Sequence, residues 1–221
     1  MSLTAFCGVI LAAGESSRMG REKALLPWPP LAGGAMVSDT FLSAAIRLFL
    51  SHVDEVLVVV GKNESALTPV VYASGASLVV NPDPDRGQFS SLRVGLHEVL
   101  NRGRDGAMIT LVDRPPVQME TVDALEQAFA QALVNRKWAV VPEYQRRHGH
   151  PMIAGREMIE AFLRAPESSN ARDVEHAHAA DIEYLSVDDP LIALNINTPE
   201  EYAALALPHL PKVRRELLPS S

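Results

Sequence analysis

"FCGVILAAGESSRMGREK" occupies Phe6 to Lys23. Its first six residues form an apolar run, which is how a parallel strand covered on both faces reads. The chemistry then changes within a few positions, to Ala12, Ala13 and Gly14, then serines, then Arg18 and Lys23. Small residues let backbone approach a ligand closely, and Gly14 can take a positive φ. Successive N–H groups in such a loop make an anion-binding concavity. Arg18 adds a fork that can grip phosphate bidentately, and Lys23 adds a point charge. The stretch therefore predicts a phosphate-holding loop at the carboxyl end of a buried strand. It is not G-x-x-x-x-G-K-[ST], because Lys23 follows Glu22 and precedes Ala24. Nor is it G-x-G-x-x-G, which disfavours NAD binding.

Working outward, the same strand-then-polar pattern recurs. Val56 to Val60 stops at Gly61, and Leu78 to Val80 stops at Asn81-Pro82. Ala107 to Val112 ends at Asp113, and Trp138 to Val141 is expected to close at Pro142. Between the strands lie helical patterns. One spans Phe41 to Phe49, with Ser38 or Asp39 as its cap; others span Ser90 to Leu100 and Val122 to Leu133. Alternating strands and helices predict a three-layer α/β/α fold around an open, mostly parallel sheet. Crossovers should be right-handed. Ligands bind such sheets at the carboxyl ends of strands. Interest therefore falls on Gly14 to Lys23, Gly61, Asn81, Asp113 and residues 143–151. Thr198-Pro199-Glu200-Glu201 supplies a cap, a proline at the first helical position and a glutamate for a capping box. A single domain over residues 1–207 and a loosely attached tail over 208–221 are expected.

The bulk composition removes several function classes. The 221 residues carry a net charge of -7, a poor basis for generic nucleic-acid or membrane binding. One cysteine, Cys7, allows neither an intramolecular disulfide nor a cysteine metal cluster, which suits a reducing cytoplasm. No apolar segment approaches the roughly 20 residues that span a bilayer.

Leu11-Ala12-Ala13-Gly14-x-Ser16-x-Arg18-Met19-Gly20-x-x-Lys23, followed by Leu25-Leu26-Pro27, resembles the signature of MobA/MocA-like nucleotidyltransferases. Later segments are similar to that family's in order. They are "NPDPDRGQFSSLRVGL" (Asn81 to Leu96), "LVDRPPV" (Leu111 to Val117), "RRHGHPMI" (Arg146 to Ile153) and "INTPEEY" (Ile196 to Tyr202). The resemblance covers nearly the whole chain. It implies a nucleotide-diphospho-sugar transferase type of fold and transfer of a nucleoside monophosphate to a phosphorylated acceptor, with release of pyrophosphate. It assigns Arg18, Lys23 and Asp113 to catalysis, and Leu11, Ala12, Ala13, Gly14, Ser17, Arg18 and Lys23 to the nucleotide. Asn81, Gly87, Ser90 and Ser91 join the nucleotide set. Asp113 and Asn197 would hold Mg²⁺, and Arg147, His148 and His150 would face the acceptor.

Two features point to different bases. Ala13 stands where guanylyltransferase relatives commonly have a second glycine, and Gly149-His150-Pro151 looks cytidylyltransferase-like. Asn195 and Asn197 instead resemble the guanylyltransferase branch, since many cytidylyltransferases have aspartates there. Asp188 and Asp189 could compensate for the missing charge, although loop aspartates before Pro190 commonly serve turns. CTP and molybdopterin are taken as the substrates. GTP, sugar or polyol phosphates, and a non-catalytic nucleotide-binding protein that delivers cofactor to a molybdoenzyme stay open. The pair His148 and His150 has no adjacent acidic residue, so an anion-facing acceptor site is expected rather than a metal site. His176 and His178 read as surface residues, and Trp28 and Trp138 as packing.

Overall fold

The computed structural model describes residues 6–30 and 39–205. The 208–221 tail and Ser38 lie outside the described residues. The described residues form ten strands: β1 (Phe6–Leu11), β2 (Pro27–Trp28), β3 (Asp39–Thr40), β4 (Glu55–Val60), β5 (Ser77–Val80), β6 (Gly106–Leu111), β7 (Ala139–Tyr144), β8 (Arg147–His148), β9 (Met152–Gly155) and β10 (Ile182–Ser186). Seven α-helices lie among them: α1 (Phe41–Leu50), α2 (Glu64–Ala73), α3 (Gln88–Asn101), α4 (Met119–Val134), α5 (Arg156–Arg164), α6 (Ala171–Ala177) and α7 (Pro199–Ala204). The main sheet has the order β10-β7-β9-β6-β1-β4-β5, with β8 paired to β7. Contacts among β6, β1, β4 and β5 are parallel, whereas β9 runs antiparallel between β6 and β7. The expected mostly parallel three-layer fold is what forms.

Side-chain alternation builds the layers. Along β4, Val56, Val58 and Val60 enter one core with Leu42, Ile46 and Phe49 of α1, Leu67 of α2, and Val122, Leu125 and Phe129 of α4. Leu57 and Val59 enter the other core, with Leu92, Leu96 and Val99 of α3 and Met158, Ile159 and Phe162 of α5. A period of two along a buried strand feeds two faces, which is why these strands read as unbroken apolar runs. No helix among the described residues is long and apolar enough to cross a membrane.

Three expectations need correction. The cap of α1 is Thr40, not Ser38 or Asp39: its hydroxyl accepts from Ser43 N at 3.1 Å, and Ser43 Oγ accepts from Thr40 N at 2.8 Å. β7 does not end at Pro142 but runs on to Tyr144; proline removes only a donor, and the Pro142 carbonyl accepts from Gly149 N at 2.8 Å. Asp189 cannot stand in for a metal ligand. It is buried, with Oδ1 accepting from Leu191 N at 3.0 Å and Oδ2 from Gln118 N and Thr121 Oγ at 2.9 and 2.8 Å.

The third apolar cluster clamps the site from outside the sheet. Met19, Leu26, Trp28, Phe41 and Ile196 are buried together, and Tyr202 of α7 packs against them. Trp28 meets Phe41 edge-on at 5.0 Å, so it serves packing, as read from the sequence. The α7 capping box is complete, with Thr198 and Glu201 exchanging bonds through each other's backbone N–H. The segment before α7 is thereby set against the loop after β1.

Candidate active site

A cavity of about 190 Å³ opens over the carboxyl ends of β6, β1, β4 and β5. Its walls come from the loop after β1, the turn after β4, the short helical turn Pro84–Arg86 after β5, the start of α3, and Asp113 after β6. Two glycines make this convergence possible. A Cβ on Gly61 would sit 2.9 Å from Pro84 Cβ and 3.0 Å from the Ala13 carbonyl oxygen, so the β4 turn reaches its neighbours only without a side chain. Gly87 has φ +90°, a left-handed value that suits glycine, as the chain turns into α3.

The loop after β1 is held by its own polar residues. Lys23 N donates to Ser16 Oγ at 3.0 Å, and Ser16 Oγ donates to Glu22 Oε1 at 3.1 Å. Asn63 Nδ2 donates to the Ala12 carbonyl at 2.8 Å and to Glu22 Oε2 at 3.2 Å. Above this frame stand the two cations. Lys23 Nζ donates to Asn197 Oδ1 at 2.9 Å and Arg18 Nη2 donates to the same oxygen at 3.2 Å. The opening loop and the closing "INTPEEY" segment, 174 residues apart in sequence at the Lys23–Asn197 contact, thus share one acceptor. The Asp113 carbonyl accepts from Ile196 N at 2.8 Å, which brings the same segment to the end of β6.

Asp113 carries the clearest chemical signal. It lines the cavity, yet its Oδ1 is buried with no hydrogen-bond partner among the described residues. An uncompensated buried carboxylate oxygen is costly unless a cation completes it. A hard divalent cation that takes one carboxylate and draws its remaining oxygens from phosphates and water fits this donor. Asn197 fits less directly. It stands at the site, but its Oδ1 is occupied by Arg18 and Lys23. A second cluster, His52 Nδ1 with Glu126 Oε2 at 3.3 Å and Asp123 Oδ1 at 3.8 Å, precedes β4 and so lies at the opposite, amino edge of the sheet.

The other expected nucleotide residues divide. Leu11, Ala13, Gly14, Gly87 and Ser91 line the cavity with Lys23. Ala12 is wholly buried and contributes its carbonyl to Asn63. Ser17 opens the helical turn Ser17–Met19. Asn81 is corrected from a ligand-facing amide to a structural one. It is buried, its Nδ2 donates to Ser90 and Ser91 Oγ at 2.9 Å each, and its Oδ1 accepts from Asp83 N at 3.0 Å. Ser90 Oγ in turn donates to the Gly87 carbonyl at 2.8 Å, away from any capping role.

On the other side of Asp113, the strands β9, β7 and β10 continue the sheet edge. His148 stacks on Tyr184 with ring centroids 4.2 Å apart, and its Nε2 is 3.4 Å from Glu143. The acidic partner that the local sequence lacks therefore arrives across the β7–β8 pairing, where Glu143 faces His148. Arg147 Nη2 donates to the Ala193 carbonyl at 3.3 Å. His150 is not a charged anion holder. Burial first, and the Arg114 charge second, pull its pKa down to about 3, and its Nδ1 is buried without a partner among the described residues. Its backbone N donates to the Ile192 carbonyl at 3.0 Å.

This depression makes a stability prediction. The unfolded imidazole takes up a proton near its ordinary pKa of 6.5, while the folded one refuses it down to about 3. The unfolded state then binds more protons between those values, so stability falls as pH drops below 6.5. Between pH 7 and pH 5 the loss from this one group should be roughly 2 kcal/mol. His150→Asn should flatten that part of the profile. Urea midpoints at the two pH values check it, and an equal acid loss in both proteins would assign the slope elsewhere.

Sequence reasoning gave no role to Lys62 and Asp85, nor to Glu15 inside the Gly14 to Lys23 loop, and all three line the cavity. The signal was available: each follows the carboxyl end of a strand that the apolar runs had located. Gly61 drew attention as a strand stop, and its neighbour Lys62 did not.

A family model described as "MobA-like NTP transferase domain" matches residues 8–182. The molybdenum cofactor cytidylyltransferase of Escherichia coli K12 is 24% identical over 195 residues, covering 88% of this chain and 92% of that protein. A probable molybdenum cofactor guanylyltransferase of Rhodopirellula baltica is 25% identical over 194 residues, covering 88% of each. Among solved structures, Rv0371c of Mycobacterium tuberculosis H37Rv in complex with manganese superposes with a TM-score of 0.71 at 25% identity, covering 91% of this chain and 98% of that one.

Proposed function

We propose that this chain, which belongs to the MobA-like NTP transferase family, transfers CMP from CTP to the phosphate of molybdopterin and releases pyrophosphate. The observation that carries the reading is that Lys23 and Asp113, whose Oδ1 has no hydrogen-bond partner among the described residues, line one cavity at the carboxyl edge of the sheet, with Arg18 beside Lys23 on their shared Asn197 oxygen. An acceptor phosphate oxygen forms a bond to the α-phosphorus, and the bond from that phosphorus to the α–β bridging oxygen breaks. The bridging oxygen leaves with the pyrophosphate and its growing charge. Such reactions need positioning and charge stabilisation more than covalent help from the protein.

Each residue has a role in that scheme. Backbone N–H groups of Ala13 and Gly14 are the phosphate cradle, in the way loop "nests" bind anions, while the Ala12 N–H is spent on the Val59 carbonyl at 2.8 Å. Lys23 stands for the α-phosphate and Arg18 for the departing phosphates. When either cation turns to phosphate, Asn197 Oδ1 is released from it and becomes available as a neutral oxygen ligand. Asp113, with Asn197, would hold Mg²⁺, which supplies charge neutralisation across the phosphates. The manganese in the Rv0371c structure supports divalent metal use in this group. Arg147 and the His148 face stand for the acceptor, at the end of β7 beyond Asp113. His150, neutral and enclosed, shapes that side without adding charge.

The choice of CTP rests on Ala13 and the Gly149-His150-Pro151 segment, and the guanylyltransferase relatives make GTP the second reading. Pyrophosphate release measured with CTP, GTP, ATP and UTP in parallel, with Mg²⁺ and molybdopterin, tests both. CTP-only release supports the proposal, and GTP-only release moves the protein to the guanylyl branch. Nucleotide binding without release, repeated with sugar and polyol phosphates, separates a different acceptor from a cofactor-delivery protein.

A further inference from the structure

Three charged side chains stand at the mouth of the cavity and have no part in the phosphate chemistry. Lys62 Nζ lies 2.6 and 2.9 Å from the two Asp85 carboxylate oxygens and 3.4 Å from Glu15 Oε1. They come from three different loops, after β4, β5 and β1. All three are largely exposed, with side chains 56%, 70% and 68% accessible for Lys62, Asp85 and Glu15. Pairs so exposed contribute little to stability, so a bound ligand can take over their hydrogen bonds.

Their place in the sheet says what that ligand part is. Neighbouring strands are about 4.8 Å apart. From β6, which carries Asp113, the order runs β6-β1-β4-β5. Lys62 is then two strand spacings away, roughly 10 Å, and Asp85 meets it there from the turn after β5. With the phosphates at Asp113, Arg18 and Lys23, a nucleoside laid along this edge puts its base over β4 and β5.

We propose that Lys62 and Asp85 select the nucleobase, Asp85 accepting from an exocyclic amino group and Lys62 donating to a ring carbonyl oxygen. Cytosine carries both features, as N4 and O2, and guanine carries both, as N2 and O6. Adenine has the amino group without a carbonyl, and uracil has carbonyls without the amino group. The pair therefore separates cytosine and guanine from adenine and uracil. Glu15 keeps a carboxylate beside Lys62 when Asp85 turns to the base. This inference rests on the nucleotidyl-transfer reading and adds the basis of its base choice.

The test is calorimetric binding of CTP, GTP, ATP and UTP to the full chain, to Asp85→Asn and to Lys62→Met. A hydrogen bond to a charged group is a matter of about tenfold in affinity or more. The unaltered protein should bind CTP or GTP at least about tenfold more tightly than ATP and UTP. Asp85→Asn should close the gap to UTP, because an amide can donate to a carbonyl oxygen. Lys62→Met should close the gap to ATP. Variants that bind with the original ranking overturn the inference and leave nucleotidyl transfer standing. An unaltered protein that binds none of the four overturns the functional reading and this inference with it. Thermal melts of both variants should match the original, since neither side chain is buried.

Discussion

Replacing Asp113 by asparagine should lower kcat for nucleotidyl transfer by about 10²–10³-fold, with the fold unchanged. The substitution keeps the shape and removes only the charge. The backbone tie from Ile196 N to the Asp113 carbonyl is untouched, so the closing segment keeps its place. What changes is the buried Oδ1, which has no hydrogen-bond partner among the described residues. If that oxygen is a ligand, the variant should need far more metal to reach its residual rate, and a Mg²⁺ titration of turnover reads this directly. If Asp113 merely capped a turn, activity and metal dependence would both survive, and the metal assignment would be lost. The variant should also melt no lower than the original, because a neutral amide is cheaper to bury than an uncompensated carboxylate. A marked loss of stability would mean that the carboxylate is satisfied by something other than a cation.

The parts of this molecule that were legible in its sequence are those set by local periodicity and by backbone rules. Val56 to Val60 could only be a doubly covered strand, and Thr198-Pro199-x-Glu201 could only begin a helix of that kind. What stayed hidden depends on contacts between distant segments. Nothing near Asn197 says that its amide oxygen meets Lys23 and Arg18 across the chain. Asn81 looked like a ligand because it ends a strand at the ligand edge, yet the two serines after it absorb its amide. His150 read as part of an anion-facing site with Arg147 and His148, but burial and the nearby Arg114 charge both keep its imidazole neutral. Lys62 and Asp85 were unreadable as a pair, since each is an ordinary surface residue until β4 and β5 align. Strand ends could be located from the sequence; the directions in which their side chains turn required the packed structure.

Lys23→Ala should reduce kcat/KM by about 10²–10³-fold, and the larger part should fall on kcat. Lys23 lines the cavity, its backbone is fixed by Ser16, and its ammonium is aimed by Asn197 at 2.9 Å. Once turned from Asn197 to the bound nucleotide, a cation so close at hand needs no further reorganisation when charge grows on the transferring phosphate, which is the condition for stabilising a transition state more than a ground state. Arg18→Ala should give a smaller loss, also mainly in kcat, because Arg18 is exposed and its 3.2 Å bond to Asn197 is the longer of the two. The double variant then discriminates. If both cations act on the same leaving charge while sharing one anchoring oxygen, their effects should not add, and the double loss should fall short of the product of the single losses. Strict multiplication would mean two independent contacts and would detach Asn197 from their placement. If either single loss appeared wholly in KM for the nucleotide, that cation would serve binding alone, and the loop after β1 would be a nucleotide clamp rather than part of the chemistry.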